Sequence, residues 1–163
     1  MEIYLLRHGI AEERSSSGRD ADRRLTDEGR EKLHKVLACA RAAGVSPSII
    51  LTSPLRRAFE TAEMAAHDLG YEGKLVRTEA LAPGASPKEL WQEFRQHRDQ
   101  SSLLAAGHDP LFSSGVAYLL GSTRHMVNFR KGALIRIDVE SFGAEPAGIL
   151  QWMITAGVAR VIT

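Results

Sequence analysis

Three short apolar runs punctuate the chain: Ile3-Tyr4-Leu5-Leu6, Ile49-Ile50-Leu51 and Leu103-Leu104-Ala105-Ala106. Runs of this length, broken by glycine or polar residues, predict buried strands that end in tight turns. Between the first two, Leu33, Val36, Leu37 and Ala40 recur at helical spacing across residues 27–43. Asp27 and Glu28 occupy that helix's first turn, where the dipole favours acids, and Gly44 stops it. A second helix is predicted from Pro54 to about Leu69, with Ser53 as N-cap, Pro54 at the first helical position and Gly70 closing it. Lys74 to Arg77 reads as a short strand, and Ser86-Pro87-Lys88-Glu89 as a capping box opening a helix that carries Leu90, Trp91 and Phe94. Asp109-Pro110 repeats the cap-then-proline signal ahead of a helix ending near Leu120. Ala133 to Val139 and Ile149 to Thr155 predict two late strands paired at the sheet edge. Residues 10–25 are polar and predict an exposed loop.

Three strand–helix alternations followed by a two-strand finish predict one α/β domain over residues 1–163, a three-layer sandwich around a mostly parallel sheet. A chain of 163 residues can bury such a sheet. No stretch is long enough to span a bilayer, and Met1-Glu2 leads straight into a strand without a basic region or cleavage site, so secretion and membrane insertion are not expected. The net charge of +1 argues against a nucleic-acid partner. Arg14, Arg19, Arg23 and Arg24 cluster, but Glu12, Glu13, Asp20 and Asp22 interleave with them, as in a solvated polar loop. The single cysteine, Cys39, lies on the apolar stripe of the first helix, which predicts a core thiol and a reduced, cytoplasmic setting. Trp91 and Trp152 stand apart from the strand ends and read as packing residues.

The chemistry gathers where the strands stop. Arg7 and His8 follow the first run, and in open α/β sheets ligands bind at the C-terminal ends of the strands. A histidine beside a guanidinium that can fork onto phosphate oxygens suits a phosphoryl-transfer nucleophile. Arg56 and Arg57 lie in the first turn of the second helix, near free backbone N–H groups, and His108 lies at the junction after the third run. Each has a packing use taken singly; their convergence on three strand ends is what core packing does not explain. His34, His67, His97 and His125 have no such setting. No Cys or His stands at ligand spacing near His8 and His108, and arginines in one pocket repel a cation, so no metal is expected.

Arg7-His8-Gly9, Leu25-Thr26-Asp27-Glu28-Gly29, the stretch from Ser53-Pro54-Leu55 through Arg57-Ala58 to Thr61, and Gly107-His108 with Pro110 resemble the motifs of the histidine phosphatase superfamily, in order, over residues 3 to about 110. The small size, Asp22-Arg23-Arg24-Leu25-Thr26 and Leu81-Ala82-Pro83-Gly84 are most similar to the SixA-type phosphohistidine phosphatases. The resemblance implies a phosphoglycerate mutase-like fold without a helical cap insertion, no cofactor, and a covalent phosphohistidine on His8. It implies phosphate binding by Arg7, Arg57 and His108, with the motif spacing choosing Arg57 over Arg56. It also implies signal-transduction chemistry, the removal of phosphate from histidine on a protein such as a phosphorelay or phosphotransfer domain. A small-molecule phosphomonoesterase of the same superfamily is the alternative, and a non-catalytic phosphate-binding module a more distant one.

Many members carry a carboxylate acid after the third strand. Glu79 is the nearest candidate general acid here, but its Pro83-Gly84 context departs from the acid-bearing pattern. Expelling an alkoxide needs a proton donor, whereas imidazole, with a pKa of about 6.5, needs less help. A weak or missing acid therefore fits cleavage of a P–N bond.

Overall fold

Alternation along the first strand, β1 (Glu2–Arg7), sends Ile3 and Leu5 to one face of a sheet and Tyr4 and Leu6 to the other, and all four are buried. A strand that is apolar on both faces needs cover on both, which the helices supply. The computed structural model describes residues 1–125 and 127–162. Its elements run β1, α1 (Asp27–Ala42), β2 (Ile49–Thr52), α2 (Arg56–Leu69), β3 (Leu75–Arg77), α3 (Pro87–Gln96), β4 (Ser102–Gly107), α4 (Leu111–Leu119), β5 (Leu134–Val139), β6 (Gly148–Ile154) and α5 (Ala156–Ile162). The six strands form one sheet in the order β3-β2-β4-β1-β5-β6. The first four are mutually parallel; β5 is antiparallel to β1, and β6 to β5.

On one face, α1 and α2 pack Leu33, Val36, Leu37, Ala62 and Ala65 against Tyr4, Leu6, Ile50 and Leu104, with Ala159 of α5 joining them. On the other, Leu90, Trp91 and Phe94 of α3 and Phe112 and Val116 of α4 cover Ile3, Leu5, Leu103 and Ala105. The predicted three layers and mostly parallel sheet are therefore present. Between β3 and β4 the chain holds only a 3-10 turn and α3, which is spent on the core, so no inserted helix roofs the strand ends. No helix among the described residues is long and apolar enough to cross a membrane.

The local signals behave as chemistry requires. Thr26 Oγ1 accepts from the Gly29 N–H, and Ser86 and Glu89 form the reciprocal capping box. Cys39 is a buried free thiol, and Trp91 is buried with its indole N–H donating to the Gly143 carbonyl.

Four details differ from what the local sequence predicts. The second helix starts at Arg56, not at Pro54, because Leu55 is extended and the Ser53 hydroxyl is engaged with His108. Pro110, not Asp109, is the residue that precedes α4 as its cap, while the Asp109 carboxylate accepts from the Ser113 N–H inside the helix. Residues 10–25 are not wholly exposed: Ala11 and Leu25 form a buried bridge, and Leu25 N donates to the buried Glu60 carboxylate. The short terminal helix α5, seated through Ala159, has no sequence signal of its own.

Candidate active site

Parallel pairing of β1 with β4 sets Arg7 beside Gly107, and the His8 N–H donates to the Gly107 carbonyl at 2.9 Å. His8 and His108 thus leave adjacent strands side by side, their ring centroids 5.1 Å apart. Ser53 enters from β2, its N–H donating to the Ala106 carbonyl at 3.0 Å. Starting α2 at Arg56 then places Arg57 in the first helical turn, buried, facing the same spot.

The His8 ring is 6% exposed, and its Nδ1 lies 2.7 Å from the Gly9 carbonyl. A carbonyl only accepts, so Nδ1 carries the proton and Nε2 keeps its lone pair. Burial pushes the His8 pKa down to about 4, against the pull of the Gly9 carbonyl and reinforced by the charges of Arg57, Arg7 and Lys131. The imidazole is neutral near pH 7. It is an oriented nucleophile in the chemical sense: one nitrogen fixed as donor, the other free.

The charges of Arg7 and Arg57 act on both His8 and His108. One Arg7 N–H donates to the Phe129 carbonyl, while its buried Nε has no partner. Arg57 donates to the Asp20 carbonyl at 3.1 Å and to its carboxylate at 3.2 Å. Burial lowers the pKa of both guanidinium groups, opposed by Asp109 for Arg7 and by Asp20 for Arg57. Arg56 turns instead to Glu60 at 3.1 Å. Two fixed cations and a neutral imidazole make a site for an anion with several oxygens.

His108 is buried, with Nε2 2.7 Å from Ser53 Oγ and a buried Nδ1 that has no partner. Burial first, then His8 and the two arginines, lower its pKa to about 3, with Asp20 pulling the other way. The structure thus brings together the four residues expected from the sequence: Arg7, His8, Arg57 and His108. Glu79 is exposed in the 3-10 turn Glu79–Leu81 that follows β3, and no hydrogen bond or ion pair among the described residues joins it to those four.

The frame around the cluster explains motif positions that carry no charge. Thr61 Oγ1 accepts from the Gly9 N–H and donates to the Arg57 carbonyl, tying the turn after β1 to α2. Gly29 packs against the backbone of Ile10; a Cβ there would stand 2.2 Å from the Ile10 carbonyl oxygen. Sequence reasoning misses Asp20, Ser53 as partner of His108, and the turn at residues 129–132. In that turn the Phe129 carbonyl holds Arg7, and the Gly132 N–H donates to the carbonyls of both Arg7 and His8. Gly132 has a φ of 73°, a conformation open to glycine, and a Lys-Gly pair before a strand is the one available cue.

The sequence profile of the histidine phosphatase superfamily (branch 1) matches residues 3–82. An uncharacterised protein of Picosynechococcus sp. is 36% identical over 139 residues, 83% of each chain. The solved structure of the protein histidine phosphatase SixA complexed with tungstate superposes with a TM-score of 0.86 at 22% identity, covering 96% of this chain and 98% of that one. A mycobacterial glucosyl-3-phosphoglycerate phosphatase superposes with a TM-score of 0.70 at 16% identity, covering 92% and 96%. At those identities the two superpositions speak for the fold.

Proposed function

The chain belongs to the histidine phosphatase superfamily, and from that membership we propose a phosphatase that works through a covalent phosphohistidine on His8 and acts on phosphohistidine in proteins. The observation that carries the reading is the His8–Gly9 contact, which leaves Nε2 as a free lone pair on a ring that feels the charges of Arg57 and Arg7. Nε2 attacks phosphorus, the P–N bond to Nε2 forms and the bond to the leaving group breaks. Arg7 and Arg57 hold the equatorial oxygens, where the charge of the transferring group spreads. His108 supplies a further donor through Nδ1, because the Ser53 hydroxyl, already accepting from Leu55 N, gives its own proton to Nε2.

Retaining the proton on Nδ1 also prepares the second step. Phospho-His8 is then a protonated phosphoimidazole, and water attacking phosphorus releases a neutral ring. The same property argues for the substrate. A phosphohistidine protonated on its far nitrogen leaves as neutral imidazole, so phosphoryl transfer to His8 exchanges one P–N bond for another.

An alkoxide leaving group would need an acid. Asp20 is bound to Arg57 and Arg23, Asp109 is bound to Ser113, and Glu79 is exposed beyond β3.

Rapid-quench turnover of a phosphohistidine peptide and of p-nitrophenyl phosphate tests this. The expected result is an acid-labile phosphoenzyme and fast loss of phosphohistidine, both abolished in His8→Ala, with poor phosphomonoester hydrolysis. Preference for the phosphomonoester would instead identify a small-molecule phosphatase. Phosphate binding without turnover of either would identify a binding module.

A further inference from the structure

A cavity of about 980 Å³ opens from the Arg7 side of the cluster, walled by the first turns of α1, the 128–131 turn and the start of α5. Of the four clustered residues only Arg7 lines it, so the cavity lies beside the cluster and is separate from it. Most cations around the cluster are already paired. On the Arg57 side, Arg19 is paired with Asp22, Arg23 with Asp20, Arg24 with Glu12, and Arg56 with Glu60. Within the cavity, Lys32 and Lys35 are likewise neutralised by Glu28 and Glu31 of their own helix. Arg130, Lys131 and Arg160 also line it, are exposed, and have no carboxylate partner among the described residues.

The backbone that bears these three residues is anchored. The Gly132 N–H donates at 3.1 Å to the carbonyls of Arg7 and His8, which pins the turn bearing Arg130 and Lys131 to the end of β1. Arg160 faces them from α5, whose Ala159 is buried in the core. Arg7 belongs to both the cluster and the cavity wall, and the charge of Lys131 acts on His8. The lining carries Arg7, Lys32, Lys35, Arg130, Lys131 and Arg160 against only Glu28 and Glu31, and such an extended excess of positive charge complements a run of carboxylates better than one compact anion.

We propose that this groove docks an acidic polypeptide segment flanking the phosphorylated residue of a protein substrate, so that Arg130, Lys131 and Arg160 select the partner while the cluster at His8 performs the chemistry. The proposal rests on the reading of the protein as a protein phosphohistidine phosphatase.

Two phosphohistidine peptides test it, identical except for flanking glutamates in one and glutamines in the other, beside inorganic phosphoramidate as a substrate with no flank. The wild type is expected to favour the glutamate peptide by about tenfold in kcat/KM, through KM, with the preference shrinking as salt is raised. Arg130→Glu combined with Arg160→Glu is expected to erase that preference and leave phosphoramidate turnover unchanged. Equal treatment of both peptides by the wild type, or an unchanged preference in the double variant, overturns the groove. If the wild type hydrolyses only phosphomonoesters, the substrate class has failed instead. The groove is then read from inhibition of that turnover by the unphosphorylated glutamate peptide: inhibition lost in the double variant upholds it, and no inhibition overturns it.

Discussion

Ser53 Oγ and His108 Nε2 lie 2.7 Å apart, a buried contact between the end of β2 and the residue after β4. The hydroxyl accepts from Leu55 N at 3.2 Å and has no other acceptor for its proton among the described residues. It therefore fixes the tautomer of His108 and keeps Nδ1 as a donor. Ser53→Ala is expected to lower kcat by about tenfold or more, the value of one hydrogen bond to a charged transition state. In a double-mutant cycle it should cost little more once His108→Ala is present. Additive losses would show that Ser53 acts by another route.

The two depressed imidazoles make the protein acid-sensitive in a defined window. Their folded pKa values of about 4 and about 3 lie below the unfolded value of 6.5, so the unfolded state binds more protons in between. Stability is then complete above about pH 6.5 and falls as the pH drops towards 4. Each tenfold difference in proton affinity between the two states is worth about 1.4 kcal/mol. Thermal unfolding between pH 7 and 4 should show the loss, and His8→Ala should blunt it. Imidazole NMR should find neither ring titrating above pH 5 in the free protein, and inorganic phosphate should raise His108, because a nearby dianion favours its charged form.

The apolar runs make the strand ends legible, and with them His8, Arg57 and His108, because strand period and turn residues are local signals. What joins those ends is not local. The Phe129 carbonyl that holds Arg7 lies 122 residues along the chain, and nothing in the residues around Phe129 announces it. Asp20 is hidden in a charge-balanced loop whose acids look like solvation partners, although one of them reaches Arg57. Ser53 has the look of a helix cap through its proximity to Pro54; a competing hydrogen bond from another strand end gives it a different partner.

Gly29 offers a test of the frame. Glycine inside a helix is ordinarily worse than alanine by about 1 kcal/mol. Here an added Cβ would stand 2.2 Å from the Ile10 carbonyl oxygen and 2.9 Å from its nitrogen, both backbone atoms that cannot rotate away. Gly29→Ala should destabilise by about 1–3 kcal/mol by overpacking, seen as a lower Tm. It should also reduce turnover, since Ile10 follows the Gly9 carbonyl that orients His8. An unchanged or raised Tm would mean that α1 shifts freely at its first turn.

Substitution of Glu79 tests whether the chemistry is P–N or P–O cleavage. A general acid contributes about 10²-fold or more where the leaving group needs a proton. Glu79→Gln is expected to leave phosphohistidine turnover within about threefold. A large loss confined to phosphomonoesters would restore Glu79 as an acid for alcohol leaving groups, and a large loss on phosphohistidine would contradict the proposed route.

The Asp20 carboxylate is bound to Arg57, one of the two guanidinium groups of the proposed phosphate site. It accepts from Arg57 at 3.2 Å and from Arg23 at 2.9 Å, and its charge also acts on His108. A phosphoryl dianion must share those same positive groups with it. Asp20→Asn removes the competing charge while leaving the backbone carbonyl that Arg57 also binds, so the guanidinium stays oriented. The side chain is 62% exposed, and solvent screening limits the effect. The expected result is inorganic phosphate binding tightened by about two- to fivefold at low salt, the difference shrinking as ionic strength rises. Calorimetry on wild type and variant reads it directly. Weaker binding in the variant would show that Asp20 serves to hold Arg57 in place, and that its charge is a cost the site accepts for that order.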